Sequence, residues 1–472
     1  MAVRVQVALM SGRSVEVVAE PSMTLDEVRL RAQHGLGAKK GALYKASGEL
    51  LPGATRVSQA CLQDGDALLL QILRPIQHVR NFAAEAEIQS DGSVVTWGEA
   101  ACGGDSTAVQ RQLKKNVQHV YATSAAFAAL LFDGSVVAWG NGRAGGDSSQ
   151  VQYQLKNVQQ IFATNSAFAA LRHDGSVVTW GQSQVGGDSS AVQPELKNVQ
   201  TVCATTSAFA ALRGDGSVVT WGSEASAGRP SKITNVKSVH ATSSAYAALL
   251  RNGSVATWGN PQLGGCSRAV QKKLKNVQQI HATRSSFAAL LDDGSVVTWG
   301  DDTETDSQQQ PQHVQRIYAN STAFAALLTD GSAATWGCRL KYNEAFVSPD
   351  QLNNVQQIAM TDSAFAALRQ DGSVVTWGRK DCGGDSHAVE SMLRSVKQIC
   401  ATFSAFAALR HDGSVVTWGD CAYGGSSCSV QEKLKGVGEI RSTPLSFEAH
   451  FADGTCVRWG RVSGSRKRCR EE

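Results

Sequence analysis

An aspartate that recurs at nearly regular intervals is the first feature of this sequence that could do chemistry. The octapeptide DGSVVTWG begins at Asp91 and returns unchanged at five later positions, namely Asp174, Asp215, Asp293, Asp371 and Asp412. Related octapeptides begin at Asp133, Asn252, Asp330 and Asp453. A metal ion needs several ligands around one point, whereas each repeat supplies one Asp before Gly, a pair typical of tight turns. The pattern therefore predicts turns and no metal site.

Histidines and glycine pairs give only weak chemical signals. His240 and His281 share one position of the repeat, but Cys203 and Tyr318 hold it in the flanking repeats, which makes a poor metal-ligand set. The stretch GGDSS at 186–190 could hold a phosphate through backbone N–H groups, but no lysine-bearing helix start follows it. No Ser/His/Asp or Cys/His set indicates a nucleophile. We predict no catalytic residue, no metal and no cofactor, and therefore a protein that is not an enzyme.

The tryptophans mark the elements that must position these residues. Each of the ten lies in one copy of the octapeptide, and successive ones are 37 to 42 residues apart. A fixed period of this size indicates a repeat architecture. We predict a structural role for all ten, with each indole wedged between neighbouring sheets. They are Trp97, Trp139, Trp180, Trp221, Trp258, Trp299, Trp336, Trp377, Trp418 and Trp459.

One repeat, 157–181, contains three short segments. VQQIFAT and SVVTW are rich in β-branched and aromatic residues, and SAFAAL lies between them. Asp-Gly between SAFAAL and SVVTW is a strong hairpin signal. SAFAAL is too short for a stable helix, so we expect its alanines where sheets crowd around an axis and only small side chains fit.

Short antiparallel sheets that recur about every 41 residues favour a mainly β fold, a multi-bladed β-propeller of about ten repeats over residues 74–460. An α-solenoid has a similar period, but it lacks Asp-Gly hairpins and needs helix-length apolar patterns. A right-handed β-helix usually has shorter rungs. The ten units could form one ring, a seven-plus-three arrangement or an open spiral; with no linker-like break between units, we favour one continuous array.

The order V-x-x-I-x-A-T-x-S-A-F-A-A-L-x-x-D-G-S-V-V-T-W-G resembles the repeat of the regulator of chromosome condensation family. The resemblance covers about residues 76–460. It implies a propeller and, as one activity, guanine-nucleotide exchange on a small GTPase. Founding members have longer units and seven blades, and they need an extra wedge for exchange, for which the nearly constant spacing leaves no room. Some relatives join such propellers to a ubiquitin ligase domain, which implies a second alternative, a substrate-binding adaptor of a ligase.

Residues 1–73 differ from the repeats. Alternating Val3, Val5 and Val7 and the stretch SVEVV predict a hairpin, with MSGR at its turn. Thr24 and Glu27 form a capping-box pattern at a helix start, and Gly35 is expected to end that helix. ALYKA and DALLLQIL predict further strands. This order resembles the ubiquitin-like β-grasp fold, a small α+β domain, which implies either a folded cap on the array or docking to ubiquitin-pathway machinery.

Composition bounds the partners and the location. A net charge of +4 with 18% charged residues gives no strong signal for nucleic acid. Eleven cysteines without a paired pattern indicate reduced thiols. The N-terminus lacks a signal-peptide layout, and no apolar run approaches 18 residues, so we expect a cytoplasmic or nuclear protein and no membrane. Residues 461–472 form a basic tail, predicted to be disordered, in which SRKRCREE could direct nuclear import.

Comparison of the repeats with one another separates a fixed framework from variable positions. The residue before Ala-Thr varies, as does the residue after it, for example Asn165, Thr206, Arg284 and Asp362. Repeat proteins build binding faces from such positions, and aromatic residues anchor interfaces. We therefore predict a protein–protein interaction scaffold or adaptor with an unidentified protein partner. The candidate partner-binding residues are Tyr121, Phe162, His240, His281, Tyr318 and Phe403.

Overall fold

The computed structural model describes residues 2–8, 14–36, 41–45, 50–51, 55–60, 62–72, 77–89, 91–114, 116–228, 233–301, 310–337, 344–345, 347–453 and 455–461. The predicted hairpin turn at 10–13 and nearly all of the basic tail lie outside the described residues. Within the described part of the chain, no helix is both long and apolar enough to cross a membrane.

The N-terminal segment folds into one mixed sheet with a helix on it. Its strands are β1 (Val3–Ala8), β2 (Ser14–Ala19), β3 (Gly41–Lys45), β4 (Leu50–Leu51) and β5 (Ala67–Ile72), in the order β2-β1-β5-β3-β4. The helix α1 (Leu25–Leu36) packs on β2. Its apolar face, including Leu25, Val28 and Ala32, is buried in a core with the strands.

The helix begins as predicted and ends later than predicted. The Thr24 backbone N–H donates to Glu27 Oε2 at 2.7 Å, which is the capping-box contact. This hydrogen bond, with that from the Thr24 hydroxyl, lowers the pKa of Glu27. The expectation that Gly35 ends the helix is wrong, because α1 continues to Leu36. A Cβ at Gly35 would lie 2.8 Å from Val15 Cγ2, so glycine is needed there for close packing against β2.

The rest of the described chain forms ten antiparallel sheets, which we number 1 to 10 in chain order. Each has an inner, a middle and an outer strand. The inner strands are β6 (His78–Arg80), β9 (Val117–Ala122), β12 (Val158–Ala163), β15 (Val199–Ala204), β18 (Val236–Ala241), β21 (Val277–Ala282), β24 (Val314–Ala319), β28 (Val355–Met360), β31 (Val396–Ala401) and β34 (Glu439–Ser442). The middle strands are β7 (Ala84–Ile88), β10 (Ala126–Leu131), β13 (Ala167–Arg172), β16 (Ala208–Arg213), β19 (Ala245–Leu250), β22 (Ser286–Leu291), β25 (Phe324–Leu328), β29 (Ala364–Arg369), β32 (Ala405–Arg410) and β35 (Ser446–His450). The outer strands are β8 (Val94–Gly98), β11 (Val136–Gly140), β14 (Val177–Gly181), β17 (Val218–Gly222), β20 (Val255–Gly259), β23 (Val296–Gly300), β26 (Ala333–Trp336), β30 (Val374–Arg379), β33 (Val415–Gly419) and β36 (Cys456–Gly460).

Irregular elements join the sheets. Sheet 8 gains a fourth strand, β27 (Glu344–Ala345), on the outer edge of β30. The four-residue helix α2 (Glu224–Ala227) follows sheet 4. Short 3-10 turns occupy most linkers, at Ala100–Cys102, Thr107–Val109, Gly142–Ala144, Gln152–Gln154, Ser183–Val185, Gln193–Glu195, Pro261–Leu263, Pro349–Leu352, Lys380–Cys382, His387–Met392, Cys421–Tyr423 and Gln431–Lys433. Another, Val57–Gln59, lies in the N-terminal segment.

The Asp-Gly step makes the turn between the middle and outer strands. Asp174 Oδ1 accepts hydrogen bonds from the backbone N–H and the hydroxyl of Ser176, at 3.0 and 2.6 Å. Gly175 has a φ of 76°, a left-handed conformation that favours glycine. Asn252 makes the same two contacts with Ser254. The repeated aspartates therefore accept hydrogen bonds from local backbone N–H and hydroxyl groups.

The expectation that the alanine-rich segment lines the axis is wrong. It forms the middle strand, and the inner strands are the ones that contact each other from sheet to sheet, as β9 does with β12. Both faces of a middle strand are buried between two sheets. Phe168 and Ala170 pack toward sheet 2, whereas Ala167, Ala169 and Leu171 pack toward sheet 4. Small residues are required because each middle strand is covered on both sides.

Phe and Trp fill the space between successive sheets. Phe209 stacks on Trp221 across the strands, with ring centroids 5.2 Å apart, and both share a core with the alanines of sheet 3. Trp221 Nε1 also donates to the Gly186 carbonyl, in the linker that follows sheet 3, at 3.0 Å. Equivalent aromatic pairs occur in all sheets except sheet 1, where Trp97 is only half-buried and lies against His78.

Sheet 10 meets sheet 1 through charged side chains. Arg461 Nε lies 2.6 Å from Glu85 Oε1, and Arg458 Nη1 lies 3.9 Å from Glu87 Oε1. Arg458 also contacts Glu448, a neighbour on its own sheet. Both Glu85 and Glu87 are buried, and Glu85 is only 3% exposed. We call this contact, made by Glu85, Glu87, Glu448, Arg458 and Arg461, the seam.

Candidate functional site

Ten turn residues, one at the end of each inner strand, form a continuous surface on one face of the array. We call them the turn ring. Its members are Phe82, Ser124, Asn165, Thr206, Ser243, Arg284, Ser321, Asp362, Phe403 and Pro444. Nine of the ten, all but Phe82, line one cavity of about 980 Å³ together with the last residues of the inner strands. The cavity is therefore shared by sheets 2 to 10.

A ladder of backbone hydrogen bonds holds the turn ring. The N–H of each turn residue donates to the carbonyl of the next, from Phe82 to Ser124 at 3.0 Å and onward to Phe403 and Pro444 at 2.7 Å. Nine links result. A tenth, from residue 444 back to residue 82, has no donor because proline lacks an N–H.

A threonine precedes eight of the ten turn residues and stiffens the ring further, whereas Asn81 and Asn320 precede Phe82 and Ser321. Thr164 Oγ1 accepts from the Ala167 backbone N–H at 3.1 Å and donates to the Val185 carbonyl at 3.1 Å. Thr123, Thr242, Thr361 and Thr402 make the same pair of contacts in their own sheets. The backbone is thus fixed while the next side chain is free to vary. This combination suits a preformed binding surface.

The side chains of the turn ring divide it into two arcs. From sheet 2 to sheet 5 they are small and polar, namely Ser124, Asn165, Thr206 and Ser243. Around the seam they are apolar. Phe403 of sheet 9 is 46% exposed, Pro444 of sheet 10 is exposed, and Phe82 of sheet 1 is 84% exposed. We call Phe403, Pro444 and Phe82, with Met360 of sheet 8, the apolar arc.

An ion pair lies between the two arcs. Arg284 Nη2 lies 3.2 Å from Asp362 Oδ2 and so bridges sheets 6 and 8 over the intervening Ser321, whose hydroxyl donates to the same carboxylate. The Arg284 side chain is 63% exposed, while that of Asp362 is largely buried. Arg284 therefore presents an exposed guanidinium near the apolar arc, with its charge paired and its position set by Asp362.

Five of the six predicted partner-binding residues occupy another place. Tyr121, Phe162, His240, His281 and Tyr318 lie near the ends of inner strands, spaced around the array, and are half-buried. Tyr121 and Phe162 pack against the core shared with the following sheet. Part of their apolar area is therefore used in packing, and their role in partner binding stays a prediction. Phe403 alone belongs to the turn ring.

The two predicted histidines are neighbours that burial keeps neutral. Burial, with a smaller contribution from nearby His281, lowers the pKa of His240 to about 4. Burial and the positive charge of Arg316 lower the pKa of His281 as well. His240 Nε2 lies 3.0 Å from the Ser238 hydroxyl. Across the described ranges, no group of three or more His, Cys, Asp or Glu side chains is placed to hold a metal ion.

Sequence comparison of the repeats pointed to part of the turn ring and missed the rest. The variable position after Ala-Thr includes Asn165, Thr206, Arg284, Asp362 and Phe403, which are ring members. Phe82 and Pro444 were missed because the first and last units depart from the repeat. Met360 was missed because it replaces the alanine of Ala-Thr. Alignment of the irregular units would have shown all three.

The fold and this surface define the class of the protein, a repeat β-propeller array with a preformed turn ring on one face. No protein-family model matches the chain, and no curated protein matches it. It is similar to solved structures at low level. Yeast RCC1 (Prp20), solved bound to Kap60, is 18% identical over 48% of this chain and 70% of that chain, with a TM-score of 0.31.

Two further structures are similar at the same level. The ectodomain of the receptor kinase CR4 from Physcomitrella patens is 15% identical over 58% of this chain and 74% of that chain, with a TM-score of 0.34. The computationally designed protein Ika8 is 12% identical over 73% of this chain and 96% of that chain, with a TM-score of 0.30. At TM-scores below 0.5 these likenesses carry no weight for architecture or function, which rest on this chain's own geometry.

Proposed function

We propose that this protein is a non-enzymatic interaction scaffold whose turn ring binds a protein partner through the apolar arc. The observation that carries the proposal is the exposure of Phe82, Phe403 and Met360 on one face, beside a backbone held by nine hydrogen bonds. Exposed aromatic side chains on a rigid backbone lose little entropy on binding, which makes them effective interface anchors. The exposed guanidinium of Arg284, paired with Asp362 between the two arcs, adds hydrogen-bond donors near the apolar residues.

The architecture belongs to the same proposal. We infer that the ten sheets close into a single ten-bladed propeller, because the charged seam joins sheet 10 to sheet 1 and the hydrogen-bond ladder joins the sheets between them. Closure brings Phe82 next to Phe403 and Pro444, although more than 300 residues separate them in the sequence. The apolar arc therefore exists only in the closed array.

The N-terminal segment takes a second role in this proposal, as a ubiquitin-like β-grasp module that docks to ubiquitin-pathway proteins. The strand order β2-β1-β5-β3-β4 with α1 packed on the sheet supports that fold. Leu30 on α1 is an exposed apolar residue, 56% exposed, and offers a contact point on the outer face of the helix.

Affinity purification of matched full-length variants, with quantitative mass spectrometry, tests both roles. Phe82→Ser with Phe403→Ser should lose the ring's partners, whereas Phe132→Ser with Tyr153→Ser, which changes exposed aromatics outside the ring, should keep them. Leu30→Asp should lose only ubiquitin-pathway partners. A partner set that is the same for the ring variant and its control would overturn the proposed binding face.

A further inference from the structure

In five of the ten sheets a linker covers the outer edge of its own sheet. A glutamine side chain of the following linker there donates to the carbonyl of the first outer-strand residue. The pairs are Gln110 with Val94, Gln152 with Val136, Gln193 with Val177, Gln271 with Val255 and Gln431 with Val415, at 2.9 to 3.2 Å. An outer strand would otherwise present unpaired backbone groups to other chains. Each of these linkers therefore protects its own sheet edge.

Sheet 4 has no such cover among the residues that the structure describes, and its linker is shorter. Residues 223–234 replace the sixteen residues found at 182–197 after sheet 3, and they contain no glutamine. Val218 of β17 is half-exposed, whereas its counterparts Val177 and Val255 are buried. No residue that the structure describes donates to the Val218 carbonyl.

A second consequence of the short linker lies on sheet 5. The indole of Trp221 donates to Gly186 in the sheet 3 linker, but the Nε1 of Trp258 is buried and has no acceptor among the described residues. The shortened linker has no Gly-Gly step at the position of Gly186–Gly187. Both observations indicate that part of a standard linker is missing next to β17.

A groove of about 690 Å³ runs along β17. One wall is the strand itself, from Val218 to Gly222, and the other walls are the sheet 3 linker and α2. The register with β16 directs the N–H and C=O groups of Val218 and Thr220 away from β16, toward the groove. The Thr220 hydroxyl makes a long contact of 3.4 Å with the Gly228 carbonyl.

Carboxylates line the groove on the side of the sheet 3 linker. They belong to Asp188 and Glu195, and no lysine, arginine or histidine is among the described residues that line the groove. A hydrogen bond from the Ser190 backbone N–H lowers the pKa of Asp188, so this carboxylate is charged at neutral pH. Val218, Val219 and Val192 supply apolar surface between the charges.

Sheet 8 shows how such an edge can be used. There β27 adds to the outer edge of β30 as a fourth antiparallel strand, with Ala345 opposite Gly378 and Glu344 opposite Arg379. Gly378 holds the position in β30 that Gly222 holds in β17, as the pairing of each with its middle strand shows. The outer edge of this repeat therefore accepts an additional strand.

We propose that the groove along β17 binds an extended peptide of a partner as a fourth strand, with lysine or arginine side chains alternating with apolar ones. Backbone hydrogen bonds to Val218 and Thr220 supply the pairing, as in other cases of strand addition. Apolar side chains pack on Val218, and basic side chains meet Asp188 and Glu195. This site lies on the outer wall of the array and is independent of the turn ring.

A labelled eight-residue peptide of alternating valine and lysine is a direct probe, used with the full chain in fluorescence anisotropy. We expect saturable binding of this peptide. A matched control peptide of alternating valine and glutamate, the valine–glutamate peptide, should not bind. Methylation of the peptide's alternate backbone nitrogens should abolish binding, because the strand pairing needs those N–H groups. Equal binding of the lysine and glutamate peptides would overturn the proposed chemistry.

Hydrogen exchange locates the peptide. Addition of the valine–lysine peptide should slow exchange in 218–222 and leave the corresponding segment 177–181, whose edge is covered, unchanged. Peptide binding with no protection at 218–222 would show that it binds elsewhere and would overturn the site.

A linker exchange tests the missing cover. Replacement of 223–234 by the sequence of 182–197 should close the groove and weaken peptide binding by about tenfold or more. The matched control replaces 260–275, a linker of sixteen residues after sheet 5, by the same sequence and should bind normally. Undiminished binding after the first exchange contradicts the proposal.

A charge variant covers the case in which the exchanged linker does not fold. Asp188→Asn with Glu195→Gln keeps the size of both side chains and should raise the Kd of the valine–lysine peptide by about two- to fivefold for each charge removed. No change in Kd would show that the carboxylates do not select the peptide.

Discussion

The interface between sheets 3 and 4 and the seam between sheets 10 and 1 join equivalent surfaces by opposite means. At the first, Phe209 and Trp221 pack against the alanines of sheet 3 in a dry apolar core. At the seam, Glu85 holds the position of Phe209, as its pairing with Trp97 shows, and faces Arg461 of sheet 10. The apolar interface recurs along the array, and the charged one occurs where its two ends meet.

The contrast between the two interfaces shows how the first and last sheets of a repeat array can recognise each other. An apolar face fits the face of any other sheet, including one from another copy of the chain, because apolar packing between identical repeats is not selective. Buried charges fit only where opposite charges meet them, because an unpaired buried charge is strongly destabilising. Sheet 1 presents Glu85 and Glu87, and sheet 10 presents Arg458 and Arg461. Each end therefore fits the other end of the chain better than it fits a middle sheet.

The largest expected effect comes from breaking an apolar interface. Phe209→Ala should lower the free energy of unfolding by about 3–5 kcal/mol, because Phe209 is fully buried and its loss leaves a cavity beside Trp221. Chemical denaturation measures the change. Phe132→Ala, at an exposed aromatic, serves as the control and should change it by less than about 0.5 kcal/mol. Equal effects of the two substitutions would contradict this account of the interfaces.

A smaller effect is expected at the seam. Arg461→Ala should cost about 1.5–3 kcal/mol, because it removes a charged partner of the buried Glu85. Within the described ranges, Glu85 then keeps its contact with His78. Hydrogen exchange should rise in β7 and β35 and stay unchanged in β13. Arg441→Ala removes an exposed pair with Glu439 and should cost less than about 1 kcal/mol. Uniform exchange changes in all sheets would argue against a closing seam.

The smallest effect is expected at the Asp-Gly turns, which occur in the sheets of both interfaces. Hydrogen bonds from the Ser176 hydroxyl and backbone N–H lower the pKa of Asp174. A lowered pKa in the folded state means that stability is present above the unfolded value, near 3.9, and is lost as the pH falls through the folded value. Asp174→Asn should therefore flatten the decrease in stability below about pH 4.

Sheet 5 offers a natural comparison for that measurement. Asn252 makes the same two contacts without a titratable group. Asn252→Asp should steepen the pH dependence by as much as Asp174→Asn flattens it. Thermal unfolding followed between pH 2 and pH 6 measures both, and an unchanged slope in the two variants would remove the turns as a source of acid sensitivity.

Much of the fold could be predicted because its signals are local. Asp-Gly turns, β-branched strands and the capping box of Thr24 and Glu27 depend on neighbours within a few residues. The axis could not be assigned in this way. Whether SAFAAL is an inner or a middle strand depends on which strands of different sheets contact each other, and the sequence of one repeat does not contain that information.

The candidate site was predictable only in part for the same reason. Variation among repeats identified Arg284 and Asp362 as variable, but it did not show that they form an ion pair across an intervening sheet. It also singled out Tyr121 and Phe162, whose burial depends on the following sheet. The exposure of a side chain depends on neighbours that are distant from it in the sequence.

By itself, the sequence of this protein determined the repeat, its turns, its strands and the position of every tryptophan, because each follows from residues at fixed short spacing. The tertiary structure alone decided which variable residues are exposed and that Arg284 pairs with Asp362 across an intervening sheet. These features arise from contacts between sheets. They depend on packing between residues that are far apart in the sequence, and no local sequence pattern predicts that packing.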